Sequence, residues 1–151
     1  MHPKRIVITG VGVVAPNGIG KTAYWEALKQ GKSGIKAISR FDTNQFKSKL
    51  AGEIDNFHPG DFLGEKGLRD LDRSTRFLCT AAKMALHDAN MVITPENTDR
   101  IGVCTGTTLS SLWGIAEFNR QIIKDGPLFT DVGLFPGTVI NAASSKVSIL
   151  F

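Results

Sequence analysis

The stretch Ile6-Val-Ile-Thr-Gly-Val-Gly-Val-Val-Ala-Pro-Asn-Gly-Ile-Gly20 decides how this 151-residue chain is read. Arg5 to Thr9 is β-branched and apolar, and Val11 to Val14 continues the run around Gly12, which is the pattern of a buried strand. Pro16, Asn17, Gly18 and Gly20 then break it with turn formers. A helix is predicted over Lys21 to Gln30. Ala23, Ala27 and Leu28 share one face, and Gly31 stands just past the end. Trp25 is expected in a core.

Two nucleotide motifs overlap in this stretch. Gly10-Val-Gly12-Val-Val-Ala15 fits the dinucleotide pattern G-x-G-x-x-G/A. That chemistry needs a helix starting at once, with its N-terminus facing a pyrophosphate. Pro16-Asn17-Gly18 prevents it, and no acidic residue closes a second strand about 20 residues on. Ala15 to Thr22 resembles a phosphate loop, with Gly20-Lys21-Thr22 at its end. Lys21 would reach phosphate and Thr22 would hold magnesium. Pro16 removes an N–H donor from that loop, and no later apolar strand ends in a metal-binding Asp. A phosphate-loop NTPase therefore stands as the alternative from a different class. The competing reading is a plain strand-to-helix turn with Lys21 exposed.

Downstream of Gly31, residues 32 to 65 are irregular, with Phe41, Phe46, Phe57 and Phe62 among Gly, Pro and Asp. Short strands are predicted at Ile35–Ile38 and Leu50–Ile54, in an excursion packed over a sheet. Linkers rarely hold so much Phe. The longest periodic segment, Leu68 to Asn90, predicts a helix with a broad Ala-rich face (Ala81, Ala82, Ala85, Ala89) and Asn90 as a left-handed stop. Arg100 to Thr105 predicts a second buried strand. Leu109 to Lys124 predicts a helix ended by Asp125-Gly126-Pro127, and a helical pattern resumes from Pro136 through Val139, Ile140, Ala143, Val147 and Leu150. The chain closes on the apolar run Val147 to Phe151, which predicts that it is cut short, since termini usually fray into water.

Composition narrows the function classes. Apolar residues make up 42% and charged residues 21%, as in globular proteins and unlike disordered ones. No apolar run approaches a membrane span or a signal-peptide core. The net charge of +4 is mild and scattered. Nucleic acid would call for a concentrated basic stripe, whereas an acidic protein partner fits. Two Cys make no disulfide framework and predict the reducing cytoplasm. Cys79, on the apolar helix face, and Cys104, inside the predicted strand, are both expected as small buried hydrophobes without the cationic neighbour a nucleophile wants. His2, His58 and His87 share no ligand spacing with them, so no metal is expected.

Several phrases together carry a resemblance. Residues 6–20 are followed by Gly31-Lys-Ser-Gly-Ile35, Arg40-Phe41-Asp42, Ala51-Gly52-Glu53-Ile54, Leu71-Asp72-Arg73 and Ile101-Gly-Val-Cys-Thr-Gly106. In order and spacing these resemble the N-terminal portion of β-ketoacyl synthases, the condensing enzymes of fatty-acid and polyketide synthesis. The resemblance implies a thiolase-like layered α/β/α/β/α fold, with residues 1–151 forming only the first part of its N-terminal half. It implies decarboxylative condensation of malonyl-carrier protein with an acyl thioester, with no cofactor. A Cys nucleophile at a buried helix N-terminus accepts the acyl group, and two His assist decarboxylation. None of those three residues can be matched here, because the nucleophile motif would follow Phe151. The 151 residues alone are therefore expected to be inactive, and their stable folding alone is in doubt.

The same resemblance implies candidate sites. Leu109 matches an apolar gate of the acyl pocket, and Leu134 and Val139 match positions reaching the pocket of a partner subunit across a homodimer or heterodimer interface. Ser110-Ser111 stands in place of a Gly pair, and Ser144-Ser145-Lys146 in place of a small Ala/Gly stretch. Lys66 and Arg69 match basic positions that dock the acidic acyl carrier protein, with Arg73 and Arg76 one and two helical turns beyond. Asp70 stands where a Lys is common. Alternatives within the same fold are a malonyl-carrier-protein decarboxylase, with Ser for the nucleophile, and a chain-length factor, with Gln. A third class is a non-catalytic fragment that only pairs with another chain.

Overall fold

Gly20, with φ +87°, turns the chain out of a tight hairpin and into the first helix. The computed structural model describes residues 4–69, 71–109 and 111–151; His2, Asp70 and Ser110 lie outside them. Strands β1 (Val14–Ala15) and β2 (Gly18–Ile19) pair antiparallel across Pro16-Asn17. Helix α1 (Lys21–Lys29) follows, and Gly31 at φ +63° ends it as its N–H bonds the Leu28 carbonyl at 3.0 Å. Strands β3 (Lys36–Ala37) and β4 (Leu50–Ala51) form a second antiparallel pair. Glu53 braces it, its carboxylate accepting the Ser39 N–H at 3.1 Å, the Ser39 hydroxyl at 2.8 Å and the Arg40 N–H at 3.3 Å.

After the short helix α2 (Gly60–Leu63) comes α3 (Arg73–Asp88), the spine of the molecule. It begins five residues later than periodicity predicts. Gly67 at φ +78° turns the chain, and the Asp72 side chain caps the helix by accepting the Thr75 N–H at 2.8 Å. The stop is as expected, with Asn90 at φ +49°. Helix α4 (Leu112–Asp125) ends at Gly126, φ +86°; 3-10 turns Pro127–Phe129 and Val132–Gly137 lead to α5 (Ala142–Leu150), which packs along α3. Leu71, Cys79 and Val147 form the core, with Leu63, Leu68, Leu78, Ala82 and Phe151 around it.

Four expectations are overturned. Residues 5–9 and 101–105 join no ladder among the described residues, and Ile6 and Ile8 are 96% and 87% exposed. Apolar β-branched sequence sets a preference for extended chain, but burial needs neighbouring strands, which the described residues do not supply. Cys104, on the second of these segments, is exposed for the same reason, whereas Cys79 is fully buried as expected. Trp25 is 60% exposed, on a helix that buries only Ala27. The Phe-rich excursion packs on α3 rather than on a sheet: Phe57 meets Phe77 edge-on at 4.8 Å and stacks with Phe62 at 6.1 Å.

Candidate functional site

The Gly10-x-Gly12 pair is a packing device. A Cβ on Gly12 would stand 2.8 Å from both the Ala81 carbonyl carbon and the Ala85 nitrogen, and one on Gly10 would stand 2.6 Å from the Ala89 nitrogen. The chain therefore lies directly on the backbone of α3, where a pyrophosphate would need open space. Lys21 is not free for a phosphate either. Its ammonium pairs with Asp88, whose other carboxylate oxygen accepts the Val11 N–H at 3.0 Å. Lys21, and then that N–H, hold the Asp88 carboxyl below the usual carboxylate range. The Gly20 N–H is used inside the hairpin, bonding the Val13 carbonyl at 2.8 Å. The phosphate-loop reading is thereby corrected: these residues make a turn tied to α3.

The basic candidates gather at the N-terminal end of α3. Lys66 and Arg69 are exposed and form no ion pair among the described residues. Arg73 and Arg76 are anchored by their own chain. Arg73 Nη2 donates to the Ile54 carbonyl at 2.5 Å, and its guanidinium lies 4.9 Å over the Phe77 ring. Arg76 Nη2 donates to the Leu68 carbonyl at 2.9 Å. Arg40, part of the Arg40-Phe41-Asp42 phrase, joins them by donating from Nη2 to the same Ile54 carbonyl at 3.2 Å. Burial, then Arg40 and Arg76, lower the pKa of Arg73. Burial pushes Asp72 up, but Ser111, Thr75 and Ser74 outweigh it and hold the carboxyl below its ordinary value. The Ser111 hydroxyl faces that carboxylate from a buried position without a close hydrogen bond.

The acyl-pocket candidates are separated along α4. Leu109 precedes the helix and is 60% exposed. Leu134 is half-buried in the 3-10 turn at residues 132–137, which folds back on the middle of α4: Gln121 Oε1 accepts the Asp131 N–H at 2.9 Å, and Phe118 and Phe135 lie 5.9 Å apart. Val139 is exposed between that turn and α5. An apolar cavity of about 260 Å³ opens here between Phe118, Ile122, Pro127, Val132 and Phe135, and none of the three candidates lines it. Neither cysteine has nucleophile geometry. Cys79 sits mid-helix, its thiol pKa raised by burial and then by Asp72. Among the described residues no His, Cys, Asp and Glu group forms a metal site.

The family model of the β-ketoacyl synthase N-terminal domain matches residues 3–151. The chain belongs to the β-ketoacyl synthase family. It is 36% identical over 151 residues to the 3-oxoacyl-[acyl-carrier-protein] synthase 2 of Coxiella burnetii (strain RSA 493 / Nine Mile phase I), a match covering all of this chain and 36% of the relative. The chain thus spans about a third of the length of the curated relatives it matches. Among solved structures it resembles the ishigamide ketosynthase/chain length factor, at 30% identity and TM-score 0.76 over 95% of this chain and 36% of that one. It also resembles a chain of a solved complex of a type II PKS acyl-carrier protein with its ketosynthase bound to the hexaketide, at 25% identity and TM-score 0.75 over 98% of this chain and 35% of that one. The β-ketoacyl synthase fold is therefore the thiolase-like one expected, of which these residues form part.

Proposed function

We propose that this chain is the N-terminal portion of a condensing enzyme acting in fatty-acid or polyketide synthesis. Decarboxylation of malonyl-carrier protein leaves a carbanion. It attacks the carbonyl of an enzyme-bound acyl thioester, forming the new carbon–carbon bond as the enzyme thiolate leaves. The observation that carries the reading is 36% identity over all 151 residues to a 3-oxoacyl-[acyl-carrier-protein] synthase 2. These residues supply the acyl gate at Leu109, the pocket positions Leu134 and Val139, and a docking face at Lys66, Arg69, Arg73 and Arg76 for an acidic carrier protein. Exposed Val139, with Phe129 and Val132 at 80% and 82% exposure, fits a subunit interface in a homodimer or heterodimer. Two free thiols and the absence, among the described residues, of a helix long and apolar enough to cross a membrane fit a cytoplasmic protein.

The test is condensation assayed with acyl- and malonyl-carrier protein. The complete protein is expected to release a 3-oxoacyl product, and residues 1–151 alone are expected to release none. Turnover by residues 1–151 alone, or none by the complete protein with either substrate varied in chain length, overturns the assignment. The likeness to a ketosynthase/chain length factor favours a second reading, a non-condensing chain-length partner. It predicts condensation only after a ketosynthase subunit is added.

A further inference from the structure

Three arginines from two parts of the chain meet at the start of α3. Arg73 opens the helix, Arg76 follows, and Arg40 arrives from the segment after β3. Arg73 and Arg40 donate to one acceptor, the Ile54 carbonyl, at 2.5 and 3.2 Å. Arg76 pins the Leu68 carbonyl at 2.9 Å, and with it the loop carrying Lys66 and Arg69, while its Nε is buried without a partner. The counter-charge nearby is shared or spent. Asp55 pairs with Lys36 through one oxygen and lies a loose 3.9 Å from Arg40 through the other, Glu53 is taken up by Ser39 and the Arg40 N–H, and Asp72 caps α3. The helix N-terminus adds further positive potential.

Like charges held together repel, and chain-internal carbonyls offset this only in part. What they do achieve is to fix the guanidinium groups in place, so that an incoming anion finds them already ordered. Arg40 remains 47% exposed at its side chain, and Arg73 is also exposed. The charge is compact, unlike a stripe that tracks a nucleic-acid backbone. We infer that Arg40, Arg73 and Arg76 form one preordered receiving surface for the carboxylates of an acidic protein. On the carrier-protein reading proposed above, on which this rests, Arg40 is a docking residue continuous with Lys66 and Arg69.

The experiment uses the complete protein with acyl carrier protein as the varied substrate and acyl-pantetheine, which lacks the acidic protein, in parallel. Arg40→Glu is expected to raise KM for the carrier protein about fivefold or more, well beyond any fall in kcat, with the effect shrinking as salt is added. KM for acyl-pantetheine is expected to stay put. Arg40→Gln, which keeps a donor for Ile54, is expected to give a smaller rise in the same direction. If Lys66→Glu and Arg69→Glu raise KM and Arg40→Glu does not, this inference falls and the docking reading stands. An equal loss with both substrates makes Arg40 structural and also overturns it. If none of the four variants changes KM, the docking reading itself falls.

Discussion

Substituting Gly12 by Ala tests whether the Gly10-x-Gly12 pair exists to seat the chain on α3. The new Cβ would stand 2.8 Å from the Ala81 carbonyl carbon and the Ala85 nitrogen, and closer still to the Ala81 oxygen. Carbon–carbon contacts settle at about 3.5–4.0 Å, so the chain must back away from α3 by roughly 1 Å. Both partners are helix backbone and cannot swing aside as a side chain would. Overpacking of this kind costs about 1–3 kcal/mol. Withdrawal also stretches the 3.0 Å bond from the Val11 N–H to Asp88, worth about 1 kcal/mol more. Reduced freedom of the unfolded chain returns about 0.4–1 kcal/mol. The net expectation is a loss of about 1–3.6 kcal/mol. The assay is thermal unfolding followed by circular dichroism, with Gly102→Ala as reference. Gly102 has nothing within 4 Å of its would-be Cβ and should shift stability by less than about 0.5 kcal/mol. Equal melting of the two variants would refute the packing role and reopen the question of what the motif is for.

Two further outcomes follow from the described geometry. A thiol reagent is expected to modify Cys104, which is exposed, within the mixing time of the assay, and to reach Cys79 only on unfolding, because that thiol is fully buried with a raised pKa; two equally fast thiols would contradict the packing of α5 on α3. Arg120, then Gln121, hold the Glu117 carboxyl at about 2, against an ordinary 4.5. A depressed carboxylate stabilises above its unfolded pKa and loses that contribution as pH falls through the folded one. The ion pair on α4 should therefore weaken between pH 4.5 and 2, and Glu117→Gln should remove that part of the acid transition seen by NMR in α4; an unchanged profile would show that the pair is not formed in solution.

The helix ends were legible because local chemistry sets them. Gly31, Asn90 and Gly126 each stop a helix at a positive φ that their sequence position announced. The start of α3 was misplaced because Leu68 and Leu71 keep helical spacing, while the deciding bond runs from the Thr75 N–H to the Asp72 side chain. Arg5 to Thr9 and Arg100 to Thr105 carry the composition of buried strands. Burial of a strand is decided by what lies beside it, and that information is not in the segment. Arg40 was missed for a related reason. Its acceptor, Ile54, is 14 residues away and its neighbour Arg73 stands on another element, so no window of sequence contains the cluster.

The glycine pair lies between these cases, since its meaning was written in two places at once. Along α3 and its C-cap, Ala81, Ala85 and Ala89 recur every four residues, about 6 Å along the helix axis. Gly10 and Gly12 are two residues apart, about 6.6 Å along an extended chain. The two spacings nearly coincide, so each glycine drops between successive alanines: Gly12 against Ala81 and Ala85, Gly10 against Ala85 and Ala89. Running antiparallel, the two segments fit in this register, because a shift by one residue would press the Val11 side chain onto α3. The register in turn brings the Val11 N–H to Asp88, and Asp88 to Lys21. A motif that by itself suggests a nucleotide is thus explained by the small side chains it faces about 70 residues later in the chain, and the same contact takes up the lysine on which the phosphate-loop reading depended.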